Sequence, residues 1–100
     1  MADAVQRRLT AILSADVVGY SRLMERDEAL TVSRLKALRH DLIDPRIQSH
    51  SGRIVKLMGD GALVEFGSVV DAVRCAIEIQ RAMVDAETHL PKDDRVQFRI

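Results

Sequence analysis

Apolar and polar positions along the chain follow two periods, and the changes between them mark out elements. From Leu9 to Val18 the apolar residues are dense, interrupted only by Thr10, Ser14 and Asp16, as expected of a strand buried on both faces. Asp16 closes the run and Gly19 marks a turn. Tyr20 to Glu25 predicts one to two helical turns, and Asp27 offers an N-cap for a longer helix. The apolar positions of that helix are Leu30, Leu35, Leu38, Leu42 and Ile43, close to helical spacing. Pro45 lacks an N–H and is expected to kink or interrupt it, and Gly52 is the expected residue at the helix C-terminus. Arg53 to Met58 predicts a strand, with Ile54, Lys56 and Met58 on one face and Val55 and Leu57 on the other. Gly59-Asp60-Gly61 is hairpin-turn chemistry, and Ala62 to Phe66 is the return strand. Ser68 can cap a second long helix that runs to about Glu87. Its stripe is Val69, Val73, Ala76, Ile77, Gln80 and Met83, broadened by Val70 and Ile79. A polar loop from Thr88 to Asp94 precedes a final strand over Val96 to Ile100.

The predicted order is β-α-β-β-α-β, an α+β chain of ferredoxin-like architecture with an antiparallel sheet and helices on one face. A right-handed crossover makes the first two strands parallel, and the split βαβ arrangement seats the third strand between them. The first and third strands are then antiparallel neighbours. This topology puts Asp16, at the end of one, beside Asp60, at the start of the other, although 44 positions separate them in sequence.

Composition narrows the class. One hundred residues make one small domain or part of one. Hydrophobic residues are 47% of the chain and only Tyr20, Phe66 and Phe98 are aromatic, so the core is aliphatic. Fifteen basic and fifteen acidic residues cancel, which gives no basic field for nucleic acid or anionic lipid. The lone Cys75 cannot form an internal disulfide, which fits a reducing, cytoplasmic compartment. No apolar run approaches the roughly 20 residues that cross a bilayer, and the start of the chain shows no signal-peptide pattern. Residues 1–6 are expected to fray. The chain stops inside an apolar strand pattern, so residues 7–100 are expected to be the N-terminal part of a longer domain.

A carboxylate at a strand end and another in a hairpin are a plausible pair of ligands for a hard divalent cation. Each residue also has a structural reading: Asp16 as a cap, Asp60 as a turn residue, Lys56 as a solvated charge, Ser21 as a helix cap. His40, His50 and His89 show no ligand spacing, and Cys75 sits on an apolar helix as a small hydrophobe.

The run Ala11-Ile12-Leu13-Ser14-Ala15-Asp16-Val17-Val18-Gly19-Tyr20-Ser21, with Gly52-Arg53-Ile54-Val55-Lys56, Gly59-Asp60-Gly61 and Val64-Glu65-Phe66, resembles the class III adenylate/guanylate cyclase catalytic domain, close to a bacterial, rhizobial-type subgroup. The resemblance runs from about Arg7 to Ile100 and corresponds to about the first half of that domain. It implies the nucleotide-cyclase type of the fold and conversion of ATP to cyclic AMP and pyrophosphate in cyclic-nucleotide signalling. Asp16 and Asp60 match the aspartates that hold two Mg2+ or Mn2+ ions, and Val17 matches a metal-binding backbone carbonyl. Val18, Gly19, Tyr20 and Ser21 match the turn that presents N–H groups to the triphosphate, with Tyr20 where many members have Phe. Lys56 matches the purine-reading lysine; a lysine only donates, which suits the N1 acceptor of adenine over the N1–H of guanine. The resemblance also implies a homodimer with the active site at its interface. The transition-state Asn and Arg and a second purine-reading residue fall beyond Ile100, so these 100 residues alone are expected to be inactive. Two other readings stay open: a catalytically silent ATP-binding or dimerisation module, and another two-metal nucleotide enzyme such as a diguanylate cyclase, although the hairpin carries no Gly-Gly-Asp/Glu-Glu-Phe signature.

Overall fold

The computed structural model describes residues 10–100. Within them a four-stranded sheet runs in the order β2-β3-β1-β4, built from β1 (Ala11–Val17), β2 (Arg53–Met58), β3 (Gly61–Phe66) and β4 (Phe98–Arg99). Every neighbouring pair is antiparallel, so β1 and β2 are parallel with β3 between them, as the split βαβ argument requires. The expected fraying of residues 1–6 and the strand start at residue 9 lie outside the described residues.

The helical layer begins with α1 (Tyr20–Arg26) and α2 (Glu28–Leu38). Asp27 caps α2, its side chain accepting from the Leu30 N–H at 2.9 Å. Pro45 does not break the helix that follows. The chain passes through a π-helical turn, Arg39–Ile43, into α3 (Asp44–Ser49) with right-handed helical backbone at each junction. Widening the turn moves the missing proline N–H into the first turn of α3, where no intrahelical partner is needed.

Gly52 also has a different role from the expected one. The left-handed residue that ends α3 is Ser51, at φ 57. Ser51 N–H donates to the Gln48 carbonyl at 3.0 Å and Gly52 N–H to the Ile47 carbonyl at 2.8 Å, the two bonds of a Schellman motif. Gly52 is required by packing instead: a Cβ there would lie 2.6 Å from Phe66 Cε1 and 2.9 Å from Ile47 Cγ2.

Helix α4 (Val69–Glu87) is capped by Ser68, whose Oγ accepts from the Asp71 N–H. Its buried positions are Ala72, Cys75, Ile79, Met83 and Glu87, while Val69, Val70, Val73 and Ile77 are exposed. The stripe expected from sequence is therefore rotated. Asp71, Arg74, Glu78, Arg81 and Asp85 mark one charged face, but apolar residues occupy most of the remaining circumference, a wider arc than the sheet buries, so periodicity alone did not fix the centre of the inward face. The core joins Leu13, Val17, Val64 and Phe66 of the sheet to Leu23, Leu42, Ile47, Cys75, Ile79 and Met83 of the helices. The helices cover one face of the sheet, and the other carries the exposed Ile12 and Met58.

The final strand is only Phe98–Arg99, shorter than expected, and pairs with β1 through Val17↔Phe98 and Asp16↔Arg99. Before it, Val96 is buried and its N–H donates to Glu87 Oε1 at 2.8 Å.

Candidate active site

β1 delivers Asp16 to the sheet end where the β2–β3 hairpin turns. Pairing of β1 with β3 stops at Ala15↔Ala62, and the two-residue turn Gly59-Asp60 lies just beyond. Gly59 takes φ 51 at the first central position, where a two-residue hairpin of this kind favours glycine. Gly61 lets the strands close up: a Cβ on it would meet the Ala15 carbonyl at 3.0 Å and Asp16 Cβ at 3.7 Å.

Past the last ladder bond, Val17 N–H has no β3 partner. It donates instead to Asp60 Oδ2 at 3.3 Å. The N–H and C=O of one strand residue face the same edge, so the Val17 carbonyl lies on the edge that Asp60 borders. Asp16, Asp60 and the Val17 carbonyl thus come together at one end of the sheet, as topology predicts. All three contribute oxygen, the ligand type of Mg2+ and Mn2+. Among the described residues no group of three or more His, Cys, Asp or Glu is placed to hold a metal. Two carboxylates fit a cation completed by substrate phosphates and water better than one caged wholly by protein.

After β1 the chain turns through Gly19, at φ 65, into α1. No side chain caps that helix, so Tyr20 and Ser21 begin it with backbone donors that no cap takes. Val18 differs from the expectation: its N–H donates to the Gln97 carbonyl at 2.8 Å, which removes it from the donors of this turn.

Lys56 is placed by a feature that alternation did not reveal. The β2–β3 register slips between Ile54↔Val64 and Lys56↔Leu63. This bulge at Val55 sets Lys56 on the opposite face from Ile54, not the same one. Lys56 therefore shares the uncovered sheet face with Leu63 and Ser14, the face to which Asp16 also belongs by alternation. Lys56 is exposed, on the edge strand.

Behind the hairpin, on the helix side, is a cavity of about 150 Å³. Ile54, Leu57, Asp60, Ile43 and Phe98 line part of it. Two charged residues were not singled out from sequence. Arg99 Nε and Nη2 each lie 3.0 Å from Asp16 Oδ1. Glu87, at the end of α4, pairs with Arg34 of α2 and holds the segment that leads into β4. The sequence signal for Arg99 was a lone charge in an apolar strand that the fold lays beside Asp16.

No protein-family model matches the chain. It is 50% identical over 98 residues to a Rhizobium meliloti (strain 1021) protein named "Putative adenylate cyclase 3", covering 98% of this chain and 17% of that protein. An adenylate/guanylate cyclase/hydrolase from Silicibacter pomeroyi superposes with a TM-score of 0.82 at 49% identity, over 95% of this chain and 54% of that one. The guanylyl cyclase Cya2 superposes with a TM-score of 0.65 at 29% identity, over 80% of this chain and 44% of that one.

Proposed function

We propose that the chain is part of a class III adenylate/guanylate cyclase domain, as its 50% identity to the Rhizobium meliloti protein supports, and that the protein converts ATP to cyclic AMP and pyrophosphate. The observation that carries this reading is the placement of Asp16 and Asp60 at the same end of the sheet, with Asp60 Oδ2 accepting from the Val17 N–H at 3.3 Å. In this reading Asp16, Asp60 and the Val17 carbonyl hold two divalent cations, Mg2+ or Mn2+. When bound, such a pair acidifies the ribose 3′-hydroxyl and neutralises charge on the triphosphate. The 3′-oxygen forms a bond to the α-phosphorus, the bond to the pyrophosphate oxygen breaks with its electron pair going to the pyrophosphate, and the hydroxyl proton passes to solvent water.

The remaining residues bind and orient. The N–H groups of Gly19, Tyr20 and Ser21 cradle the triphosphate, and Val18 serves the turn through its bond to Gln97 rather than by donating to phosphate. Lys56 donates to adenine N1. Its place on the uncovered sheet face supports a homodimer in which Lys56 of one copy reads the base of an ATP whose triphosphate lies at the carboxylates of the other.

The test is cyclic AMP formation by the full-length protein with ATP and Mn2+. Asp16→Ala and Asp60→Ala are each expected to reduce it by at least about 10²-fold, since even partners that only orient metal ligands contribute 10–100-fold. Lys56→Glu is expected to slow ATP turnover and shift the ATP/GTP rate ratio towards GTP. Wild-type rates in Asp16→Ala would overturn the metal assignment, and an unchanged ratio would remove Lys56 from base reading. Metal and ATP binding with no turnover would favour the silent-module reading.

A further inference from the structure

The two carboxylates at the sheet end are held in different ways. Asp60 accepts a neutral backbone N–H, from Val17. Asp16 faces a fixed positive charge: Arg99 Nε and Nη2 both reach Oδ1 at 3.0 Å. Backbone register sets this contact, because Asp16↔Arg99 is a cross-strand pair of β1 and β4. Side chains directly opposite each other in an antiparallel pair share one face and lie close together. Arg99 is therefore tethered beside Asp16 wherever β4 is docked. Both bonds converge on one oxygen, so the arrangement is not the two-oxygen fork that makes arginine–carboxylate pairs strong. The side chains are 42% (Asp16) and 72% (Arg99) exposed, which makes the pair easy to open.

We propose that Arg99 is the resident counter-cation of Asp16, which a divalent cation must displace, so that Arg99 weakens the metal affinity of the site. The inference rests on the metal reading of Asp16 and Asp60. Two effects act in the same direction. The ion pair must open before Oδ1 can coordinate, and the guanidinium, still tethered nearby, repels the incoming dication. A purely structural clamp would act in the opposite direction. If Arg99 served only to hold Asp16 in place, its removal would loosen the carboxylate and weaken metal binding.

The experiment measures Mn2+ binding to the full-length protein without nucleotide, from the electron paramagnetic resonance signal of free Mn2+. Arg99→Gln is expected to lower the Mn2+ dissociation constant by about 3–10-fold at low salt, with a smaller change at high salt. Arg99→Lys, which keeps the charge, is expected to stay within about 2-fold of wild type. Circular dichroism confirms that each variant is folded. The controls Asp16→Asn and Asp60→Asn separate the two levels of the argument. If they weaken binding at least about 10-fold while Arg99→Gln is unchanged or weaker than wild type, the metal site stands and the role of Arg99 is refuted. If they bind as wild type does, the metal reading fails and this inference fails with it.

Discussion

Glu87→Ala is expected to destabilise the chain by about 3–5 kcal/mol and to loosen β4 next to the candidate site. Glu87 is 7% exposed at the last position of α4. Its Oε1 accepts the N–H of Val96, itself 2% exposed, at 2.8 Å, and it pairs with the guanidinium of Arg34. Arg34 also donates through Nη1 to the Asp94 carbonyl at 2.8 Å. One carboxylate therefore links α2, α4 and the segment leading into β4. Truncation leaves a buried N–H unpaired, which costs about 1–3 kcal/mol, and strands a partly buried charge, for which breaking a buried pair costs about 3–5 kcal/mol. Arg34 keeps its Asp94 bond and is 24% exposed, so the total belongs near the lower end of that range. Glu87→Gln retains an acceptor for the Val96 N–H and is expected to lose less than half as much. Urea unfolding with the slope held common gives the difference from the midpoint. The Val18 amide, bonded to Gln97 in the same segment, is expected to exchange faster with solvent hydrogen in Glu87→Ala. A loss below about 0.5 kcal/mol, the range of ordinary surface changes, or glutamine as costly as alanine, would refute the account.

Gly52→Ala is expected to cost about 1–3 kcal/mol by overpacking, because the new Cβ would sit 2.6 Å from Phe66 Cε1 and Phe66 is 1% exposed; an unchanged melting temperature would mean that the Phe66 pocket yields. Burial pushes the Cys75 thiol up to about 11, so between pH 9 and 11 the unfolded chain loses a proton that the folded chain keeps. Stability should therefore fall as pH rises through that window, and Cys75→Ala should flatten the fall in urea midpoints; an identical pH slope in the variant would place the effect elsewhere.

The elements legible in the sequence were those with local chemistry at their ends. Asp27 and Ser68 cap helices where a short side chain precedes a helical pattern, and Gly59-Asp60 turns where two short apolar runs meet. Strand order followed from handedness and the split βαβ rule, so it needed only the order of elements. Local pattern failed where two solutions share one composition. The apolar arc of α4 is wider than one buried stripe, and the sheet beneath it selects Cys75, Ile79 and Met83 over Val69, Val73 and Ile77. Gly52 lies at the helix C-terminus as expected, but Ser51 takes the left-handed conformation there, and the need for glycine arises from Phe66, 14 positions away.

The candidate site divides along the same line. Asp16 and Asp60 could be brought together from sequence because each stands where an element ends, and ends are what topology places. Lys56 and Arg99 stand inside strands, where position depends on register. A bulge at Val55 reverses the face of every later residue in β2, so strict alternation puts Lys56 on the covered side, away from Asp16. Arg99 meets Asp16 only because β4 docks with Phe98 opposite Val17; a slip of one residue would turn it to the helix side. That docking depends on the bonds from the Val18 N–H to the Gln97 carbonyl and from the Val96 N–H to Glu87. The charge beside Asp16 is thus set through backbone pairing by a buried carboxylate on α4. Glu87→Ala should therefore change Mn2+ binding at the proposed Asp16–Asp60 site, read from the free-Mn2+ resonance signal, without touching either candidate ligand.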